Sequence, residues 1–271
     1  MKQHHLLHYQ PQRGLSLIET MVGITVGLMV VLASIGTLVI TRQSATAVSD
    51  SARLANAGNM ALRNIAFTIR QAGAAELVQT GGVGTPVMFG DLTQRGAAGD
   101  QIVGGTEGGA GPDTLVVRYE HRDENTTRDC LGNSPGAALP ERIDNTYSVT
   151  QVELRCTGTR GSNGSNIAPA QALVGDNTRP ALDIATEDLQ VWYWIRNAAG
   201  QQRRVDATAA AAAVPNGWAS VDAVEVCLQF RGTRADFPTG TFNNCRGAAT
   251  ANGGRLHQLF RGTYKLRNLV G

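Results

Sequence analysis

The residues best placed to do chemistry stand at the start of an apolar run. Gly14 closes a polar opening segment, and Leu15 to Ile40 follow with Glu19 as their single charged residue. In a cleaved secretory signal the small residue comes after the apolar core, whereas here it comes before. That order predicts proteolysis after Gly14, leaving the hydrophobic segment on the mature chain. The cut would place a new α-amino group on Leu15 and make Glu19 the fifth residue, about one helical turn away. An acid in an apolar membrane helix costs a few kcal/mol unless it finds a partner. Amine and carboxylate of one chain meet poorly. The spacing therefore favours neutralisation between staggered neighbours, the carboxylate of one against the amine of the next.

Thiol oxidation is the second chemistry. Cys130, Cys156, Cys227 and Cys245 all lie beyond the apolar run, and their even number fits two disulfides in an oxidising compartment. Four cysteines allow three pairings, which sequence alone leaves open. Proximity along the chain favours Cys130 with Cys156 and Cys227 with Cys245, each worth about 3 kcal/mol in the chain-entropy model. Zinc is disfavoured, because no CxxC occurs and only His121 and His257 lie beyond the opening segment. The same scarcity, with no HExxH and no recognised nucleophile elbow, assigns no catalytic, cofactor-binding or metal-ligating residue. Glu120-His121-Arg122-Asp123-Glu124-Asn125 offers oxygen atoms to calcium but lacks the spacing and central glycine of an EF-hand, and reads as a solvated loop leading into Cys130.

Two further clusters have weaker signals. Beyond Gly14 the basic residues are arginines except Lys265, and Arg203-Arg204 or Arg255, Arg261, Lys265 and Arg267 could meet an anion. They are balanced by acids, since removing Lys2 and Arg13 from 24 basic residues leaves 22 against 22 acidic ones. A nucleic-acid partner is therefore not the default expectation. In Trp192-Tyr193-Trp194 alternation places the tryptophans on one strand face and the tyrosine on the other, read as core and sheet packing.

The elements that must position these residues follow from periodicity. The apolar run of 26 residues, Leu15 to Ile40, makes a helix of roughly 39 Å, longer than the ~30 Å bilayer core. Basic residues before it and none inside it until Arg42 predict a cytoplasmic N-terminus and an exported body. Gly23 and Gly27 form a GxxxG pair suited to close helix approach. Beyond Arg42 the pattern becomes amphipathic, with Val48, Ala52, Ala55, Leu62, Ile65, Ala66 and Ile69 at helical steps and Ser49, Asp50, Arg53, Asn56 and Arg63 on other faces. One helix from about Leu15 to Gln71 results, with Gly73 as its stop signal.

The chain therefore divides into a leader at 1–14, a hydrophobic helix at 15–42, its amphipathic continuation at 43–72 and a β-rich body at 73–271. Residues 81–111 hold eleven glycines without strand or helix period and read as a surface loop, with no phosphate-binding fingerprint. Strands are expected at Thr114 to Tyr119, Tyr147 to Leu154, Leu189 to Ile195, Ala223 to Phe230 and Leu256 to Leu266. No βαβ rhythm is visible, so the fold class is α+β, an antiparallel sheet lying against one long N-terminal helix.

Arg13-Gly14-Leu15-Ser16-Leu17-Ile18-Glu19 resembles the processing site of type IV prepilins. The resemblance implies a type IV pilin-like fold, cleavage after Gly14 by a prepilin peptidase, N-methylation of Leu15, and a filament core in which Glu19 sets register. Three body segments resemble PilW-type minor pilins: Asp113-Thr114-Leu115-Val116-Val117-Arg118-Tyr119, Glu187-Asp188-Leu189-Gln190-Val191-Trp192-Tyr193 and the ending Leu266-Arg267-Asn268. That resemblance implies a non-catalytic subunit that helps to initiate pilus assembly at the filament tip. Its implied partners are other minor pilins, the major pilin, the inner-membrane assembly platform and membrane lipid before assembly. A J-type pseudopilin of a type II secretion system shares the same logic, as does a tip adhesin or DNA-uptake module.

Overall fold

The structure is a computed structural model describing residues 14, 16–75, 77–80, 83–86, 101–121, 127–136, 141–160, 164–176, 178, 184–197, 199–213 and 217–267. The chain separates into two compact units, Met1–Ser49 and Asp50–Gly271. Helix α1, Leu17–Gln71, contributes to both.

In the first unit, Ser16 starts α1 by accepting the Glu19 backbone N–H on its hydroxyl at 3.2 Å, and its carbonyl accepts from Thr20 N at 3.2 Å. Proline is absent from α1, and so nothing in the sequence interrupts its ladder. In the second unit α1 buries Asp50, Leu54, Gly58, Ala61, Ile65, Ala66, Thr68 and Ile69. This stripe differs from the expected one at its beginning. Val48 is 69% exposed, whereas Asp50, assigned to an outer face, is buried. The cause is Gly58: a Cβ there would lie 2.3 Å from the Phe260 ring, so the helix approaches the sheet along its small residues. α1 ends at Gln71, and Gly73, at φ +70°, turns the chain so that its N–H donates to Arg118 O at 2.8 Å.

After α1 come β1 (Leu77–Thr80), β2 (Val83–Pro86), β3 (Val103–Thr106), β4 (Thr114–His121), β5 (Glu141–Thr150), β6 (Glu153–Arg160) and β7 (Gln171–Val174). There follow β8 (Ala185–Arg196), β9 (Gln202–Val205), the short helix α2 (Ala207–Ala211), β10 (Val221–Arg231), β11 (Thr241–Asn243), β12 (Ala249–Ala251) and β13 (His257–Lys265). All pairings are antiparallel, in a five-stranded sheet ordered β3-β4-β5-β6-β7 and a four-stranded sheet ordered β13-β10-β8-β9. Two hairpins, β1-β2 and β11-β12, stand apart from them.

The fold class is therefore α+β with a long N-terminal helix, but the body carries two main sheets in place of one. The segment from Tyr147 to Leu154 is not a single strand. Gln151 and Val152 take φ of +51° and +65°, and the chain reverses between β5 and β6. The glycine-rich stretch includes β2 and β3. Alternation failed to reveal β3 because Gly104 and Gly105 give it no side-chain pattern. Gly105 is required by contact, since a Cβ would meet Thr114 O at 2.2 Å and the Tyr193 hydroxyl at 2.5 Å.

One core joins α1 to both sheets. It contains Leu54, Ile65 and Ile69 of the helix, Leu115, Tyr147 and Leu154 of one sheet, and Leu189, Val191, Tyr193, Leu228 and Phe230 of the other. Buried Asp113 ties the sheets together: its carboxylate accepts from Gly108 N at 2.9 Å and from Val191 N at 2.8 Å. Tyr193 donates its hydroxyl to Gly104 O at 3.1 Å.

Candidate functional site

The first candidate site is the surface of α1 in the N-terminal unit. Residues 16–45 are all exposed, including Leu17 at 82% and Ile18 at 72%. An 18-residue window of this helix has a mean hydropathy of 2.3 with none of it buried, and α1 is long and apolar enough to cross a membrane. A helix apolar on every side needs lipid or other apolar helices around it. Gly23, Gly27 and Gly36 have nothing within 4 Å of the position a Cβ would take. They leave notches on the rod that none of the described residues fills.

Five hydroxyls lie between Leu17 and Thr41, and each donates back to a carbonyl of its own helix. The distances are 3.3 Å from Thr20 to Ser16 O, 2.9 Å from Thr25 to Val22 O, 2.8 Å from Ser34 to Val30 O, 2.9 Å from Thr37 to Ser34 O and 2.7 Å from Thr41 to Thr37 O. Such bonding removes the cost of an orphan donor in an apolar surrounding. Glu19 is the exception, the one charged side chain of this stretch, standing exposed in the first turn.

Gly14 is exposed two residues before the cap, and Leu15 lies outside the described residues. Ser16 is a capping position that sequence reasoning missed. Its signal was legible as Ser16-Leu17-Ile18-Glu19, the S-x-x-E pattern of a helix start directly before an apolar run.

In the body the structure joins Cys130 to Cys156 and Cys227 to Cys245, and no free cysteine remains. The first bond fixes the segment after Arg128 to β6, and the second fixes the loop carrying β11-β12 to β10. Among the described residues no group of three or more His, Cys, Asp or Glu is arranged to hold a metal. Residues 122–126 of the charged stretch lie outside the described residues. A G-x-S-x-G spacing does occur at Gly132-Asn133-Ser134-Pro135-Gly136. It occupies irregular chain after Cys130 and lacks the strand-to-helix turn that exposes a nucleophile.

The arginine and tryptophan clusters converge on the outer face of the four-stranded sheet. Tyr193 is fully buried in the core, while Trp192 and Trp194 are half-buried on the opposite face, so the tryptophans are not core residues. The Arg204 guanidinium lies 3.8 Å from the Trp192 ring centroid and that of Arg261 lies 5.3 Å away. Both reach Glu225, at 3.0 Å from Arg204 and 3.6 Å from Arg261. The two arginines are thus engaged with a carboxylate whose side chain is 8% exposed. Arg203 and Arg255 do not join them: Arg203 is exposed on β9, and Arg255 donates to the carbonyls of Gly232 and Thr233.

Arg246 straps the loop to the opposite sheet edge through the carbonyls of Gly109 and Gly111 and approaches Asp188 at 3.9 Å. Burial is the main cause that raises the Asp188 carboxyl above its ordinary range, with Asp113 adding to it against Gln190 and Arg246. Burial likewise raises Glu107, reinforced by Asp113 and Asp206.

No protein-family model matches the sequence, and no curated protein matches it. Among solved structures the chain is similar to a type IV-like pilin from Thermus thermophilus, at 16% identity and a TM-score of 0.46, over 80% of this chain and 99% of that one.

Proposed function

We propose that the protein is a minor pilin of a type IV pilus, a non-catalytic subunit that helps to initiate or prime assembly at the filament tip. The observation that carries this reading is the chemistry of α1. Every hydroxyl from Leu17 to Thr41 is satisfied within the helix, and Glu19 alone, five residues beyond Gly14, presents an exposed charge in an apolar surface. A lone acid at that depth calls for a cation at the same depth, and the α-amino group of a chain cut after Gly14 supplies one on a neighbour.

In this reading 1–14 is a leader, 15–42 spans the inner membrane and then enters the filament core, 43–72 continues the helix, and 73–271 is the periplasmic head. Prepilin peptidase cleaves after Gly14 and Leu15 is methylated. The inner-membrane platform, the major pilin and other minor pilins are its partners. The head, braced by Cys130–Cys156 and Cys227–Cys245, selects among them.

Mass spectrometry of the protein from peptidase-positive cells tests the reading directly. A terminus at methylated Leu15 is expected; an intact terminus at Met1 overturns it.

A further inference from the structure

Opposite its buried stripe in the second unit, α1 exposes Arg53, Asn56, Met60, Arg63, Phe67 and Arg70, with Asn59 beside them. The six follow one another at steps of three, four, three, four and three residues. That is the spacing of a seam along which one helix lies on another, repeating about every 3.5 residues. Beyond Val48 the exposed large apolar side chains among the described residues are Met60 at 61%, Phe67 at 59% and Leu259. Two of the three thus stand on this row. A groove of about 340 Å³ flanks Phe67 toward β13, lined also by Leu62, Arg63, Ala66, Arg70 and Tyr264. On the other flank a groove of about 470 Å³ separates Met60 and Phe67 from Arg128, Leu131 and Leu173. A helix laid along the row would find a hollow on each side for its own side chains.

Charge selects which helix that can be. Arg53, Arg63 and Arg70 take part in no ion pair among the described residues. Residues 51–71 contain no acid, so the row laid against its own copy finds no carboxylate in any register, parallel or antiparallel. The rest of α1 offers Glu19 as its one exposed acid, and the short α2 has none. Among the described residues no helix of a second copy can therefore answer all three arginines. A nucleic-acid backbone would meet the arginines but not the apolar side chains between them.

We propose that this row docks an amphipathic helix of a different protein chain, with apolar residues against Met60 and Phe67 and carboxylates against Arg53, Arg63 and Arg70. Burial of the two apolar side chains supplies affinity, and the arginines fix the register and turn away copies of the same face. The proposal rests on the exposed row alone and stands whether or not the chain is a pilin, a reading that the terminus at Leu15 tests separately.

Fluorescence anisotropy on the full chain in nonionic detergent micelles tests it, using a labelled helical peptide whose leucines and glutamates repeat at heptad spacing. The controls are the same peptide with lysines for glutamates, a scrambled peptide of the same composition, and labelled duplex DNA. The glutamate peptide should saturate and bind at least about tenfold more tightly than each control, with its lead over the lysine peptide shrinking as salt rises. Phe67→Ser should weaken it at least about tenfold. Arg63→Glu combined with Arg70→Glu should reverse the preference, so that the lysine peptide binds and the glutamate peptide does not. That reversal is a gain of binding, which a loss of folding cannot mimic. The proposal is overturned if the glutamate peptide fails to bind, if either control peptide or the DNA binds as tightly, if charge reversal leaves the preference in place, or if Phe67→Ser has no effect. A dimer of the chain alone that Phe67→Ser dissolves would overturn it as well, by assigning the row to a second copy.

Discussion

At the scale of single residues, the chain separates chemistry that is satisfied from chemistry that is not. Glu225 is the satisfied case, a buried carboxylate with two guanidinium groups and an indole around it. Glu19 is the other, exposed on an apolar rod with its backbone N–H held by Ser16 and its carboxylate facing outward. On the proposed pilin reading, Glu19→Ala leaves 1–14, the apolar run and Ser16 unchanged, so cleavage after Gly14 should persist while incorporation into a pilus falls sharply. Fractionation of sheared pili against the membrane pool checks this, and unchanged incorporation would remove the role in register. The exposed charge of Glu19 on an apolar helix was legible because a single charge inside an apolar run stands out in sequence. The sharing of Glu225 by Arg204 and Arg261 was not legible, because it depends on the two edge strands of the sheet, β9 and β13, both reaching over Trp192 on one face.

Among the elements, those with a strong period were read nearly to their ends, whereas those made of glycine or defined by a turn were not. The long helix, β4, β8, β10 and β13 carry enough Val, Leu, Trp, Tyr and Phe to show their pattern. β3 has no alternating side chains, and the reversal at Gln151-Val152 lacks the glycine or asparagine that marks most tight turns. Helix packing depends on a contact that periodicity does not carry, the seating of Phe260 against Gly58. Gly58→Val should therefore destabilise the protein by about 1–3 kcal/mol through overpacking, although valine is the better helix former. Denaturant unfolding should show a lower midpoint with an unchanged slope; a midpoint equal to that of the parent would mean that the ring moves aside at no cost.

For the whole molecule, neutrality of the chain beyond Gly14 conceals a local excess of acid where the two sheets and the β11-β12 loop meet, with Asp113 buried, Asp188 partly buried and Glu107 at the surface beside them. Burial raises the carboxyls of Asp188 and Glu107, so the folded protein holds protons there that the unfolded chain releases. Stability from these groups is present at and below the ordinary carboxylate range and is lost as pH rises through their raised values. Asp188→Asn should flatten part of the decline that sets in as pH rises above the ordinary carboxylate range, read as melting temperature against pH. A variant with the same slope as the parent would refute the contribution. The two units also meet solvent on different terms, one through charged strands and the other through an apolar helix whose hydroxyls are turned back onto its own carbonyls. Such a helix can trade acyl chains for protein side chains without breaking or making a hydrogen bond anywhere from Met21 to Thr41. The move from one solvent to the other is then nearly free of polar rearrangement. On the proposed pilin reading, Glu19 is the exception, the one group whose departure from the bilayer would need a counter-charge.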